Sequence, residues 1–232
     1  TSTIATGQAA DAIRLGRLDA AVAGGTDALS RLTYSGFNAL RLMDPEPCRP
    51  FDKGRSGMNI GEGAGILVLE DMAHARRRGA TVYGELAGSS LACEAFHPTA
   101  PEPEGRPVAA VVRMALNDAR VDAADVDHIN AHGTATPQND KAEAKGFWSV
   151  FGARASTIPL TSLKSMVGHC LGAAGAVEAA TMALTVAGGI IPPTINHRQT
   201  DDECGVEVVA NDAREVKVRC AVSTSLAFGG ND

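Results

Sequence analysis

The chain has 232 residues, 44% of them hydrophobic and 21% charged, with a formal net charge of −6. The length admits one large or two small domains, the composition excludes a disordered tail, and a mild acidic excess argues against non-specific nucleic-acid binding. No apolar run approaches the roughly 20 residues needed to span a membrane. The five cysteines (Cys48, Cys93, Cys170, Cys204, Cys220) are odd in number and never form a CxxC, so neither a disulfide framework nor a zinc site is expected and a reducing cytoplasm fits best. The sequence starts at Thr1 with no leader pattern and runs at once into a helix, which reads as a chain cut inside a fold.

Residues 6–15 place Ala9, Ala10, Ile13 and Leu15 at helical spacing. Residues 18–23 are a short apolar run ended by Gly24-Gly25, as a buried strand would be. Residues 34–42 read as a helix stopped near Pro45 and Pro47. Residues 65–69 (GILVL) predict a second buried strand. Asp71 can cap a helix running to Arg78, with Gly79 ending it. A strand is expected at 82–86 and a Pro-rich loop at 97–107. The rest alternates: helix 108–119, strand 126–131, helix 141–151, strand 158–162, a long small-residue helix 173–186, and strands at 206–209 and 218–223. Such alternation indicates an α/β fold.

Gly61, Gly63 and Gly65 precede a strand, whereas a dinucleotide fingerprint follows one, so tight strand packing explains them better. Three other clusters carry chemistry. In the first, a strand ends at Asn130-Ala131-His132 and a Thr-rich turn (Thr134, Thr136) leads into a helix. In the second, residues 161–169 run from a strand through Lys164 to His169, and Glu178 follows on an otherwise apolar helix, where a carboxylate needs a partner. The third is the closing turn 223–232, with Phe228 at its tip and glycines after it. Two strand-end histidines and a lysine, backed by Asp140, Glu143 and Glu178, suggest a polar site in a dry interior that aims N–H donors at developing negative charge. His132 and His169 lack a third ligand at zinc spacing, and no GxSxG elbow supports a hydrolase.

HGTATPQNDKAEA, SLKSMVGHCLGAAGAVE and AFGGND resemble the C-terminal signatures of β-ketoacyl-[acyl-carrier-protein] synthases, and DAAVAGGTDALS and RPFDKGRSGMNIGEGAGILVLED resemble two further ones. The likeness is to the synthase II type of fatty-acid synthesis and to ketosynthases of type II polyketide systems. It implies a thiolase-like fold, a five-layered αβαβα core, here incomplete at its N-terminus. Residues 1–79 would end the first half and 80–232 would form most of the second. The implied reaction is a decarboxylative Claisen condensation of a Cys-bound acyl group with malonyl on acyl carrier protein, in a homodimer or ketosynthase-type heterodimer.

By the same resemblance His132 and His169 are the active-site histidines that stabilise the enolate, and Lys164 orients them. Asp140, Glu143 and Glu178 are supporting acids. Asn130, Glu143 and Glu178 also frame a structural cation seen in some members. Thr134 and Thr136 hold the phosphopantetheine arm of the carrier, the only prosthetic group implied. The Phe228 N–H forms half of an oxyanion hole and its ring a gate. The family's nucleophilic Cys would lie just before Thr1, together with a missing N-terminal part of the fold. None of the five cysteines matches it, and Cys170 reads as packing. Ala227 stands where relatives usually have Gly, so a stiffer Phe228 loop is expected. Asn139 and the closing Asn231-Asp232 also depart from the usual pattern. The alternative reading is a non-catalytic chain-length-factor partner, whose type usually loses the Cys and often the histidines; His132, His169 and Lys164 favour the enzyme. A thiolase would need a late cysteine motif that the closing turn lacks.

Overall fold

Helix α1 (Ser2–Arg14) opens the chain in the computed structural model, which describes residues 1–232. Strand β1 (Ala20–Asp27) follows, then helix α2 (Arg31–Ala39), whose start is set by Ser30: its hydroxyl accepts from the Thr33 N–H. Strand β2 (Gly63–Glu70) returns antiparallel to β1, from Ala20 opposite Glu70 to Asp27 opposite Gly63. Asp71 caps the short helix α3 (Met72–Arg77), as its sequence position predicts.

The remainder contains α4 (Arg106–Ala119), β3 (His128–Asn130), α5 (Pro137–Phe151), β4 (Pro159–Thr161), α6 (Lys164–Val167) and α7 (Ala174–Gly188). The two-residue strands β5 (Ile190–Ile191), β6 (Glu207–Val208) and β7 (Arg214–Glu215) precede β8 (Ala221–Ser223). Strands in the order β6-β4-β3-β8 form one fully parallel sheet, while β5 and β7 pair antiparallel apart from it.

Helix α7 lies between the β1–β2 pair and the parallel sheet, with α1 beside it. On the sheet's other face, Val108, Val112 and Leu116 of α4 and Phe147 and Phe151 of α5 close over Ile129, Leu160 and Val206 to make the main apolar core. The layers therefore run β, α, β, α, an α/β fold in which each sheet buries a face against helices. The outward face of β1–β2 carries Val22, Ile66 and Val68 at 72%, 61% and 65% exposure, so the two strands expected to be buried are covered on one face only.

Several sequence expectations shift. β1 runs through Gly24-Gly25 instead of ending there. A Cβ on Gly24 would sit 2.0 Å from the Gly65 carbonyl oxygen and one on Gly25 2.4 Å from that of Gly172, so these glycines serve close backbone approach. Residues 82–86 join no ladder, because no strand lies beside them to receive the apolar run; Val82 and Tyr83 are exposed. α2 is earlier than 34–42 because of its Ser30 cap. α4 and α5 start earlier than expected, each with Pro in the first turn, where a missing N–H costs nothing. The late strands are shorter than their apolar runs, and β5, β7 and α6 are too brief to leave a periodic signal. One stretch, Leu171–Gly188, does reach 18 residues at a mean hydropathy of 1.4, contrary to the reading that no apolar run approaches membrane length. Here it is an interior helix whose carboxylate, Glu178, is paired within the protein.

A Cβ on Gly65 would lie 2.5 Å from both Ala176 C and Val177 N, main-chain atoms of α7 that cannot rotate aside. Gly65→Ala should therefore destabilise the protein by at least about 1–3 kcal/mol, read as a lower urea midpoint. An unchanged midpoint would show that α7 is not seated on β2.

Candidate active site

Asn130 registers with Thr161 on one side and with Ser223 on the other. Because all three strands are parallel, β3, β4 and β8 end at the same sheet edge, where open α/β sheets place their sites. The three polar clusters of the sequence emerge there together. The rings of His132 and His169 come within 5.2 Å, centroid to centroid, at an interplanar angle of 81°. They face a cleft of about 1910 Å³ that Thr134, Thr136, Asn139 and Phe228 also line.

The His132 turn hangs on two fully buried carboxylates from the first two turns of α5. Glu143 Oε1 accepts from the His132 N–H at 2.6 Å and the Thr224 hydroxyl at 2.6 Å, and Oε2 accepts from the Gly133 N–H at 2.8 Å. Burial pushes the Glu143 carboxyl up to about 7, against the pull of those donors. Asp140 accepts from the Ala135 N–H at 3.1 Å and the Phe51 N–H at 2.8 Å. Burial raises its pKa too, and the nearby Arg55 cation opposes the rise. The hydroxyls of Thr134 and Thr136 sit 3.0 Å apart at the cleft wall.

His169 is fixed by a segment that precedes β2. Its N–H donates to the Asn59 carbonyl at 2.7 Å, and its carbonyl accepts from the Gly61 N–H at 3.1 Å. A Cβ on Gly61 would lie 2.0 Å from the Val167 carbonyl oxygen, which gives the Gly61 signal its packing cause. The ring Nδ1 accepts from the Leu171 N–H at 3.2 Å, so the neutral tautomer carries its proton on Nε2. Burial, then the Lys164 charge, lowers the His169 pKa to about 3. Burial foremost, then Lys164 and His169, holds His132 well below its ordinary value. Both rings are neutral near pH 7, each with one N–H to give.

Behind them Lys164 Nζ meets Glu178 Oε1 at 2.5 Å, with side chains only 2% and 3% exposed. This pairing is the partner that a lone acid on an apolar helix demands. Burial raises the Glu178 pKa while Lys164 restrains it.

Phe228 is half-exposed, and its ring packs on Phe37 of α2 at 5.5 Å between centroids. The loop is tied by the Gly229 N–H to the Pro98 carbonyl at 2.9 Å and by the Glu94 N–H to the Gly230 carbonyl at 2.8 Å, while the Phe228 N–H joins no backbone hydrogen bond. Positive φ falls on Gly229 (84°) and Gly230 (73°) but not on Ala227, so Ala227 adds no backbone strain to the loop.

No group of three or more His, Cys, Asp or Glu is placed to hold a metal. Of the residues implied to frame a cation, Asn130 Oδ1 and Glu178 Oε2 have no hydrogen-bond partner, while both oxygens of Glu143 are taken by donors. All five cysteines are free. Cys170 Sγ contacts the Val167 carbonyl at 3.5 Å and Cys48 Sγ that of Lys164 at 3.2 Å, and burial pushes both thiols up, away from the nucleophilic thiolate. Phe51, Arg55, Asn59 and Phe37 escaped the sequence reading. The first three lie inside the RPFDKGRSGMNIGEGAGILVLED stretch, and its place among the resembling signatures was the available signal.

Comparison with known proteins bears on this geometry. The family model described as beta-ketoacyl synthase, N-terminal domain, matches residues 1–75, and the corresponding C-terminal domain matches residues 83–198. The chain is similar to nodulation protein E of Rhizobium meliloti, at 44% identity over 97% of this chain and 56% of that protein. It is 45% identical to the oxytetracycline polyketide putative beta-ketoacyl synthase 1 of Streptomyces rimosus, over 96% of this chain and 54% of the relative. It thus spans about half the length of the curated relatives it matches. Among solved structures, the ishigamide ketosynthase/chain length factor overlays with a TM-score of 0.95 at 44% identity, covering 99% of this chain and 56% of that one. A type II polyketide synthase acyl-carrier protein in complex with its hexaketide-bound ketosynthase gives 0.97 at 36% identity, covering 99% and 58%.

Two predictions follow from the buried charges. Lys164→Met leaves Glu178 without its cation and should cost about 3–5 kcal/mol in urea unfolding, whereas Lys164→Met with Glu178→Met should recover most of the loss. Equal losses in the single and double variants would refute the pairing. The second concerns His128 on β3, whose Nε2 lies 2.9 Å from Thr161 Oγ1 and whose burial lowers its pKa from 6.5 to about 4. Between those values the unfolded chain binds a proton that the folded chain refuses, so stability falls as pH drops through that window. His128→Gln should reduce the slope of stability against pH there by about 1.4 kcal/mol per unit, measured by unfolding at a series of pH values.

Proposed function

That the chain belongs to the β-ketoacyl synthase family is the premise from which we propose that it forms the C-terminal part of a condensing enzyme of fatty-acid or polyketide biosynthesis. One observation carries the reading: two neutral imidazoles 5.2 Å apart at one sheet edge, with a buried lysine–glutamate pair behind them. We read residues 1–79 as the end of the first thiolase half and 80–232 as most of the second. The nucleophilic Cys would come from the segment before Thr1 in the complete protein.

In the proposed reaction the acyl group waits as a thioester on that Cys, and malonyl arrives on the phosphopantetheine of acyl carrier protein. The Thr134 and Thr136 hydroxyls steady the arm. His132 and His169 donate N–H hydrogen bonds to the malonyl thioester oxygen. The malonyl C–C bond breaks, carbon dioxide leaves, and its electron pair becomes an enolate held by those donors. The enolate carbon attacks the acyl carbonyl. The oxyanion then formed is met by the Phe228 N–H and the Cys N–H, and collapse breaks the C–S bond to return the thiolate. Neutral donors suit this role, because each sits where charge develops without first being charged. No other cofactor is called for. A homodimer, or a heterodimer with a chain-length-factor-type partner, is the proposed assembly, in the cytoplasm. The non-catalytic partner reading has less support, since His132, His169 and the Lys164–Glu178 pair are all kept.

The test is carbon dioxide release from malonyl carrier protein by the complete protein. His132→Ala and His169→Ala should each lower it about 10²–10³-fold, the usual effect of removing one oxyanion donor. Release at the parent rate in both variants would sink the reading.

A further inference from the structure

Arg55 is not among the groups that the proposed chemistry uses, yet its side chain is 2% exposed. Its Nη1 donates to Asp201 Oδ2 at 2.5 Å and to the Asp52 carbonyl at 2.8 Å. Its Nη2 donates to the carbonyl of Pro137, the first residue of α5, at 3.3 Å. Its Nε stands 3.5 Å from Asp140 Oδ2 without a hydrogen bond of its own. A single guanidinium thus ties three stretches that are distant in sequence: residues 49–55, the start of α5, and the turn at 201–204.

The first two bear on the turn that carries Thr134 and Thr136. Asp140, 0% exposed, receives the Ala135 N–H and the Phe51 N–H. Phe51 in turn lies under Gly133, where an added Cβ would come within 3.0 Å of its ring. Burial drives the Asp140 carboxyl toward its neutral form, and the Arg55 cation is foremost among the groups that oppose this and keep it able to accept from several donors at once. Protonated Asp140 would lose an acceptor, and the turn would lose the Ala135 or the Phe51 tether. Lysine could restore the charge but not the fork that reaches Asp201 and Pro137 together.

We propose that Arg55 is a positioning residue for the carrier arm: through Asp140 it holds the 133–136 turn, and so the Thr134 and Thr136 hydroxyls, at the wall of the cleft. The role of that turn toward the arm rests on the condensing-enzyme reading; the tether itself does not.

The experiment compares Arg55→Met and Arg55→Lys in the complete protein by two measurements. Amide hydrogen exchange needs no activity. The Ala135 and Phe51 amides should exchange at least ~10-fold faster in Arg55→Met and by an intermediate amount in Arg55→Lys, with the α7 amides unchanged. Steady-state kinetics then separates binding from chemistry. KM for malonyl carrier protein should rise about tenfold with kcat within about threefold, while malonyl on a short N-acetylcysteamine thioester, which lacks most of the arm, shows no change in KM. Unchanged exchange at Ala135 overturns the tether. Equal losses of kcat with both substrates overturn the positioning role. Where Arg55→Met fails to fold, Arg55→Lys supplies the same two comparisons. A parent protein with no condensing activity would instead count against the proposed function, and the exchange result would still judge Arg55.

Discussion

Glu143 is fully buried, and the site is arranged around satisfying it. Its two oxygens collect the N–H groups of His132 and Gly133 and the hydroxyl of Thr224. Those residues follow β3 and β8, so one carboxylate on α5 locks the exits of two strands to each other. A buried acceptor left short of donors costs more than a satisfied one gains. The turn after β3 therefore cannot shift without the turn after β8, and His132 and the start of the Phe228 loop keep a common frame. Burial pushes this carboxyl up to about 7 even against those donors, which favour its charged form.

A second constraint acts one layer deeper. Lys164 opens α6, and its ammonium has Glu178 of α7 as its only side-chain partner. The Lys164 charge acts on both imidazoles, and it works with burial to keep them neutral. Two imidazolium rings 5.2 Å apart would repel each other in so dry a place. Neutrality is what lets them stand together as donors. The same pair ties the helix layer to the sheet edge, so the seating of α7 against β2, where Gly65 allows backbone contact, and the electrostatics of the site depend on each other.

The sequence made the second half of this arrangement readable and hid much of the first. Each of the His132, Lys164–His169 and Phe228 clusters shows a strand running into a polar turn, and parallel strands bring such turns to one edge without further information. The solitary Glu178 on an apolar helix announced a buried partner. The burial of β1 and β2 was overestimated because apolar composition does not say which face is covered: Val22, Ile66 and Val68 read as core and stand outward. The strand expected at 82–86 failed for a related reason, since a ladder requires a neighbour as well as a run. The segment of Phe51, Arg55 and Asn59 stood out as a signature, but the contacts these residues make across the site could not be read from it, because those partners lie far along the chain.

Those three residues share one segment, between α2 and β2, and that placement explains why two histidines from different strands keep a fixed geometry. β3 and β4 are adjacent, so the sheet sets where the turns begin. It does not set where the rings end, since each turn bends away over several residues. Asn59 and Gly61 bracket His169 from one side. Phe51, held in the left-handed region at φ 60°, supports Gly133 and donates to Asp140 on the other. Asn59 also accepts the Cys48 N–H on its side-chain oxygen at 2.7 Å, which closes the segment on itself. A closed segment touching both turns transmits displacement of one to the other, whereas two independent supports would let the 5.2 Å separation drift. The geometry of the histidine pair is thus a property of the segment before β2 as much as of the sheet that presents it.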